Sequence, residues 1–456
     1  MSELIRLGWP IIVSMLSASV MTLVDTLMVS RLGSYALAGV GLGGIVNFIV
    51  ICFPMGLLTG VKILISQSVG ANQRDSVRAY LGAGIWLAVV MAALATPLAL
   101  AIAETLPAVS ATEAAGEASK TYLSILAFGA LPVLIRLAIE QSRFANGDSQ
   151  WPMRVNLFAN VANVVLNYLF IFVLDMGVAG AGYGTLVAGV LGCLAMGAVQ
   201  ARDGLGLREA TRHHLAGVWR LGLPSGIQFA LEMGSFATMV IMLNHLSELD
   251  GAANQITLQV LHFGFLPCLA MGEAATVLAG QAIGADRRDL IRSITRATLI
   301  PTIAYAGLSM AVFVAFGSTI IGGFTSEPEL LVLGTRLLYV AAVFQVADGI
   351  GIVSRSILRG TGDVRFCAWA GILLSWMMTP PLTWLFAYHY GMGALGGWIG
   401  LCLDIFLTSA VFWFRLRGDR WHKAADASLA ELAREQAAVT SSPDLRPNAP
   451  QHEPIL

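Results

Sequence analysis

The sequence predicts an all-α polytopic membrane protein with twelve transmembrane helices in two pseudo-symmetric six-helix lobes. Three observations lead there. Of 456 residues, 56% are apolar and only 12% charged, whereas about one-quarter of a soluble domain is charged. Runs of about 20 residues with few charges, each long enough to cross roughly 30 Å of hydrocarbon, occur twelve times. The chain also repeats itself. Arg6-Leu7-Gly8-Trp9-Pro10 returns as Arg220-Leu221-Gly222-Leu223-Pro224, and Ser66-Gln67-Ser68-Val69-Gly70-Ala71 returns as Gly280-Gln281-Ala282-Ile283-Gly284-Ala285, both 214 residues later.

The first copy contains spans at about 9–31, 38–65, 78–103, 121–142, 155–174 and 178–201. The second contains 217–244, 252–280, 297–321, 330–354, 366–388 and 395–414. Arg74/Arg288 and Asp75/Asp289 keep the same spacing, and Gly147-Asp148 recurs as Gly362-Asp363 one residue later than that register. Six spans per copy is an even number, so both copies enter the bilayer from one side and are parallel repeats about an axis along the membrane normal. The expected domains are an N-lobe over 1–208, a C-lobe over 209–417 and a polar tail over 418–456. In that tail residues 421–437 suit a weakly amphipathic helix at the membrane surface, and the Pro- and Ser-rich remainder suits disorder.

Charge sets the topology. Arg74, Arg78, Arg143, Arg154, Arg202, Arg208, Arg212, Arg287, Arg288, Arg292, Arg355, Arg359, Arg365, Arg415 and Arg417 fall in alternate connections or after the last span, while the intervening ones carry acids such as Glu104, Asp175 and Asp250. By the positive-inside rule the Arg-rich loops and both termini are cytoplasmic, in a plasma (inner) membrane. A net charge of −1 argues against a nucleic-acid partner. The first apolar stretch is matched by the retained segment at Arg220, so no cleaved signal peptide is expected. Cys52, Cys193, Cys268, Cys367 and Cys402 lack metal or disulfide spacing and read as small apolar residues.

No HExxH, Walker loop or GxSxG elbow is present, so neither an enzyme nor a cofactor is expected. Gly39-x-Gly41-x-x-Gly44 matches a dinucleotide fingerprint only formally, because it lies in an apolar run with no preceding strand and suits helix packing. The chemistry resides instead in charges within spans, where a carboxylate costs several kcal/mol unless protonated, paired or cation-bound. Those acids are Asp25, Glu140, Glu232, Glu273, Asp348 and Asp404.

Asp25 lies roughly 24 Å along the first span. Asn156, Asn160, Asn163 and Asn167 share one face of the fifth, and Thr185 enters from the other side, so Asp25, Asn163, Asn167 and Thr185 can share a layer. One carboxylate with amide and hydroxyl oxygens is a ligand set for sodium, and the same cage could tune a proton-exchanging carboxyl; interhelical hydrogen bonding is the competing reading. Glu232 and Asp348 lie near mid-membrane, suited to a cationic organic substrate, a proton or both, with Glu273 as a third acid of that cavity. Arg136 and Glu140, four residues apart, neutralise each other. Lys62 either pairs with an acid or snorkels, and Asp404, alone in its span, suits packing.

At this point the chain resembles the multidrug and toxic compound extrusion (MATE) family, in its NorM-like branch. The resemblance rests on Val24-Asp25-Thr26 through Arg31-Leu32-Gly33, Gln67-x-x-Gly70-Ala71, Asn163-x-x-x-Asn167, Gly180-Ala181-Gly182 before Thr185, Gly222-x-Pro224 before Glu232, and Phe344-Gln345-x-x-Asp348 with Arg359-Gly360-x-Gly362-Asp363. It covers about residues 6–415. It implies two six-helix lobes around a V-shaped cavity and sodium- or proton-coupled antiport of cationic or amphipathic drugs by a monomer among membrane lipids. It further implies an N-lobe cation site at Asp25, Asn163, Asn167 and Thr185 and a C-lobe site at Glu232 and Asp348. One departure is visible: the NorM-like pattern has tyrosine where Phe344 stands, which puts sodium coordination in the C-lobe in question. A lipid-linked saccharide flippase is the alternative; it would favour a cavity rich in arginine and lysine, and few basic residues, Lys62 and Arg136 among them, fall inside the predicted spans. A membrane enzyme is a more distant one.

Overall fold

In hydrocarbon a backbone must satisfy its own hydrogen bonds, so each apolar run becomes helix. The computed structural model describes residues 2–110 and 112–440. In chain order the helices are α1 (Ser2–Ser30), α2 (Ser34–Gly70), α3 (Arg74–Ala103), a short α4 (Leu106–Val109), α5 (Glu113–Ala127), α6 (Ala130–Ala145), α7 (Gln150–Tyr168), α8 (Gly177–Ala201), α9 (Arg212–Asn244), α10 (Glu248–Gly284), α11 (Leu290–Gly322), α12 (Pro328–Gly360), α13 (Val364–Thr383), α14 (Ala394–Arg417) and α15 (His422–Thr440). Among the described residues, eleven helices are long and apolar enough to span a membrane, α7 and α13 being counted with the turns that extend them. The twelfth span is α5 with α6, bent by 51°. Pro132 causes that break: it has no N–H for the Phe128 carbonyl one turn back, and the neighbouring Ala127 carbonyl is taken up by Thr96 Oγ1 at 2.9 Å.

The duplication reaches local detail. α7 runs into a π-helical turn, Leu169–Val173, and α13 into another, Trp384–His389. The chain forms two compact units, one of Trp9–Ile65 and Gln73–Ile227, the other of Met1–Gly8, Ser66–Asn72 and Gln228–Leu456. They are called the N-unit and the C-unit below. In the C-unit the two copies of the Gln-x-x-Gly-Ala motif meet. A Cβ on Gly70 would strike the backbone of Gln281, and one on Gly284 the backbone of Gln67. Gln67 Nε2 also donates to the Gly360 carbonyl at 3.2 Å.

Two sequence expectations need correction. Arg355 and Arg359 do not lie in a connection: α12 continues to Gly360 and both are half-buried in it, because each finds a polar partner inside the C-unit. The tail helix is present, but protein covers its apolar face. Trp421 and Ala425 of this segment are buried in one core cluster with Ala279, Ala282 and Ile283 of α10, and Arg288 Nη2 holds Asp426 at 2.6 Å. The expectation of disorder beyond residue 440 falls outside the described residues.

Candidate cation sites

The asparagine face of α7 is zipped to α1 within the N-unit. Asn156 Nδ2 donates to Ser14 Oγ at 2.7 Å and Asn160 Nδ2 to Ser17 Oγ at 2.6 Å. Two turns further along, Asn167 Nδ2 donates to Asp25 Oδ1 at 2.7 Å. The lower two asparagines are thus interhelical ties, and the upper two surround the acid.

Asn163 stands with its amide oxygen 2.8 Å from Asp25 Oδ1. Two acceptors that close repel unless a proton, a cation or the amide nitrogen stands between them. Turning the amide places Nδ2 on Asp25 and lets its oxygen accept from Thr185 Oγ1 at 3.3 Å. Asn163 and Asn167 are 2% and 1% exposed, and Asn167 Oδ1 is buried without a hydrogen-bond partner. Gly184 makes that placement feasible, since a Cβ there would strike Asn167 Oδ1. The structure therefore gathers Asp25, Asn163, Asn167 and Thr185, and adds Tyr122 of α5, whose hydroxyl reaches Thr185. Nothing in the spacing of α5 signals Tyr122; only the fold brings it in. An orphaned amide oxygen beside a carboxylate, with hydroxyls at hand, fits a hard monovalent cation.

The C-unit cluster has another character. Arg355 Nη1 lies 3.2 Å from Glu232 Oε2, Gln228 Nε2 donates to Glu232 Oε1 at 2.7 Å, and Arg359 Nη2 donates to Gln228 Oε1 at 2.8 Å. Glu232, Asp348, Asp404 and Arg355 line a cavity of about 160 Å³. Drug-sized pockets hold about 300–1,000 Å³, so this one admits an ion with waters or the charged end of a ligand. Asp404 is not alone: Thr379 Oγ1 and Thr408 Oγ1 donate to its two oxygens at 2.7 and 3.0 Å. Glu273 does not line the cavity, although it lies within electrostatic reach of Arg359. Phe344 is 1% exposed and stacks on Trp398, so it is core.

Three further in-span charges lie outside both clusters. Arg136 Nη1 donates to Asn156 Oδ1 at 2.5 Å and stands 3.9 Å from Glu140, a looser pair than the i,i+4 spacing suggests. Lys62 is 2% exposed, which excludes snorkelling. Arg355 and Arg359 were invisible as interior charges because two arginines four residues apart, followed by Gly360 and Gly362, look like the start of a connection.

A doubled bundle of membrane helices with acids held inside each half is the build of a transport protein. The comparisons agree with that class. The MatE family model matches residues 10–169 and again 224–385, repeating at the 214-residue spacing of the internal duplication. The chain belongs to the MatE family. It is 29% identical, over 96% of its length and 97% of the relative's, to a probable multidrug resistance protein NorM of Pseudomonas syringae. It is 30% identical, over 95% of each, to one of Burkholderia pseudomallei. A solved MOP superfamily transporter from Pyrococcus furiosus, for which a reverse-polarity binding pocket is taken to suggest a different function, shares the fold with a TM-score of 0.86. Its identity is 22%, over 92% of this chain and 96% of that one.

Proposed function

We propose that the protein is a secondary active multidrug efflux transporter of the inner membrane that exchanges organic cations for Na⁺ or H⁺ by alternating access between lobes at 1–208 and 209–417. The observation that carries the reading is the Asp25 cage, where Asn167 Oδ1 and the oxygen-inward form of Asn163 provide ligands and, among the described residues, no basic group competes for the carboxylate. Energetically one cation suffices: a charge crossing roughly 100 mV supplies about 2.3 kcal/mol against about 1.4 kcal/mol per tenfold gradient, enough for a gradient of tens of fold.

In the C-lobe the ion pair changes the role of Glu232. With Arg355 on it, Glu232 accepts a cation only after that pair opens, whereas Asp348, lining the same cavity, makes no hydrogen bond among the described residues. Asp348 is therefore the group on which a substrate ammonium or coupling cation would act, with Glu232 and Asp404 adding negative potential and Glu273 a more distant contribution. The flippase alternative gains nothing from Arg355 and Arg359, because both are engaged by Glu232 and Gln228. Dye efflux from proteoliposomes under separately imposed sodium and proton gradients tests the proposal. One of the two gradients drives efflux in the wild type and neither does in Asp25→Asn; efflux driven equally well in that variant sinks it.

A further inference from the structure

We infer that the C-unit carries a site for the phosphate headgroup of an anionic phospholipid, at the foot of α11 and α14. A cleft of about 760 Å³ opens there, lined by Arg288, Arg292 and Arg296 at i, i+4 and i+8, by Arg417 at the end of α14, and by Trp413 and Trp421. Arg288 is committed to Asp426. Arg292, Arg296 and Arg417 are exposed and pair with no carboxylate among the described residues; Arg417 only rests on the Trp413 ring, 4.9 Å from its centroid. Two acids also line the cleft: Asp289 is held by Arg287 at 3.0 Å, and Asp419 stands 4.0 Å from His422, so the arginines of the lining outnumber them four to two. Three unneutralised guanidinium groups converging on one concavity select a phosphate, which they bind in forked geometry.

The duplication supplies an internal control. In the first copy, 214 residues earlier, Arg296, Arg417 and Trp421 correspond to Gly82, Asp203 and Leu207. There the cleft is closed. The Gly206 carbonyl occupies the space a Cβ on Gly82 would need, Trp86 Nε1 donates to the Leu207 carbonyl at 3.3 Å, and Asp203 is taken by Arg143 at 2.6 Å. In the second copy an arginine replaces the glycine and the arginine that replaces Asp203 faces the opening.

A lipid, in preference to a soluble phosphate, fits the surroundings. One turn from Arg296 stands Ile300, 60% exposed, and one turn from Arg417 stands Phe414, 70% exposed. A headgroup on the arginines would lay its acyl chains along these side chains, at the helix ends the arginine distribution assigns to the cytoplasmic leaflet.

The test uses full-length protein in nanodiscs of phosphatidylcholine doped with phosphatidylglycerol, with retained lipid read by native mass spectrometry after detergent release. The wild type retains phosphatidylglycerol over phosphatidylcholine. Each of Arg292→Gln, Arg296→Gln and Arg417→Gln lowers that retention roughly fivefold, while Arg202→Ala, an exposed arginine that does not line the cleft, leaves it unchanged. Thermal stability with inorganic phosphate in place of lipid separates the sources: stabilisation by millimolar phosphate together with no lipid preference overturns the lipid assignment. Equal retention by wild type and a folded triple glutamine variant overturns the site itself. Neither outcome depends on the coupling ion or on Asp25.

Discussion

Asp25 of the N-unit and Glu232 of the C-unit are held in opposite ways. Asp25 of the N-unit is surrounded by neutral amides and hydroxyls, with no basic side chain on it among the described residues. Glu232 of the C-unit is met by a guanidinium on the next-but-two helix, so its charge is already balanced within the fold. One repeated unit has thus yielded an acid in a neutral cage and an acid whose counter-charge is covalently part of the chain. The lesson is that the repeat conserves helix placement while leaving electrostatics free to diverge, since only the backbone register has to match for both halves to fold.

The largest expected effect lies on the N-unit side. Asp25→Asn keeps the hydrogen-bonding shape and removes the charge, so drug export should fall to background while gel-filtration behaviour stays that of the wild type; undiminished export would place the coupling elsewhere. On the C-unit side Arg355→Met strands Glu232 in a largely buried setting. Removing one partner of such a pair costs about 3 kcal/mol, to be read as a lowered melting temperature in detergent. The Glu232→Gln/Arg355→Met double variant should recover most of it, and absence of recovery would break the contrast drawn here. A smaller effect is expected from Gly184→Ala, whose methyl displaces Asn167 Oδ1. Cation affinity should drop by roughly tenfold, as expected for about 1.4 kcal/mol, with C-unit stability unaffected, as judged by cation-dependent thermal shift. The smallest is Thr408→Val. It removes one of two hydroxyl donors to Asp404 and should lower stability by about 1 kcal/mol with transport retained.

Much of this was legible beforehand. Helix count, the repeat and the Asp25 layer follow from hydropathy, identity at fixed spacing and the i, i+4, i+7, i+11 asparagine face, because α7 is a straight helix up to its π turn and periodicity translates directly into side-chain proximity. Legibility failed where a side chain's surroundings depend on helices far apart in sequence. Asp404 looked solitary because Thr379 lies on another helix and Thr408 one turn on, and Tyr122 carries no signature of its own. Arg355 and Arg359 looked like loop charges because hydropathy falls at any arginine, whether it meets water or a buried glutamate. Pro132 was visible, but the resulting 51° bend between α5 and α6 required knowing that the lone carbonyl it creates could be accommodated locally.

The meeting of the two Gln-x-x-Gly-Ala motifs has a mechanical corollary. Where Gly70 rests on the main chain of Gln281 and Gly284 on that of Gln67, there are no ridges to lift out of grooves. Helices touching through bare backbone sit closer together than any pair of side chains would let them. The same closeness forbids even a methyl group on either glycine, so a contact that contains no side chain is among the least mutable in the C-unit.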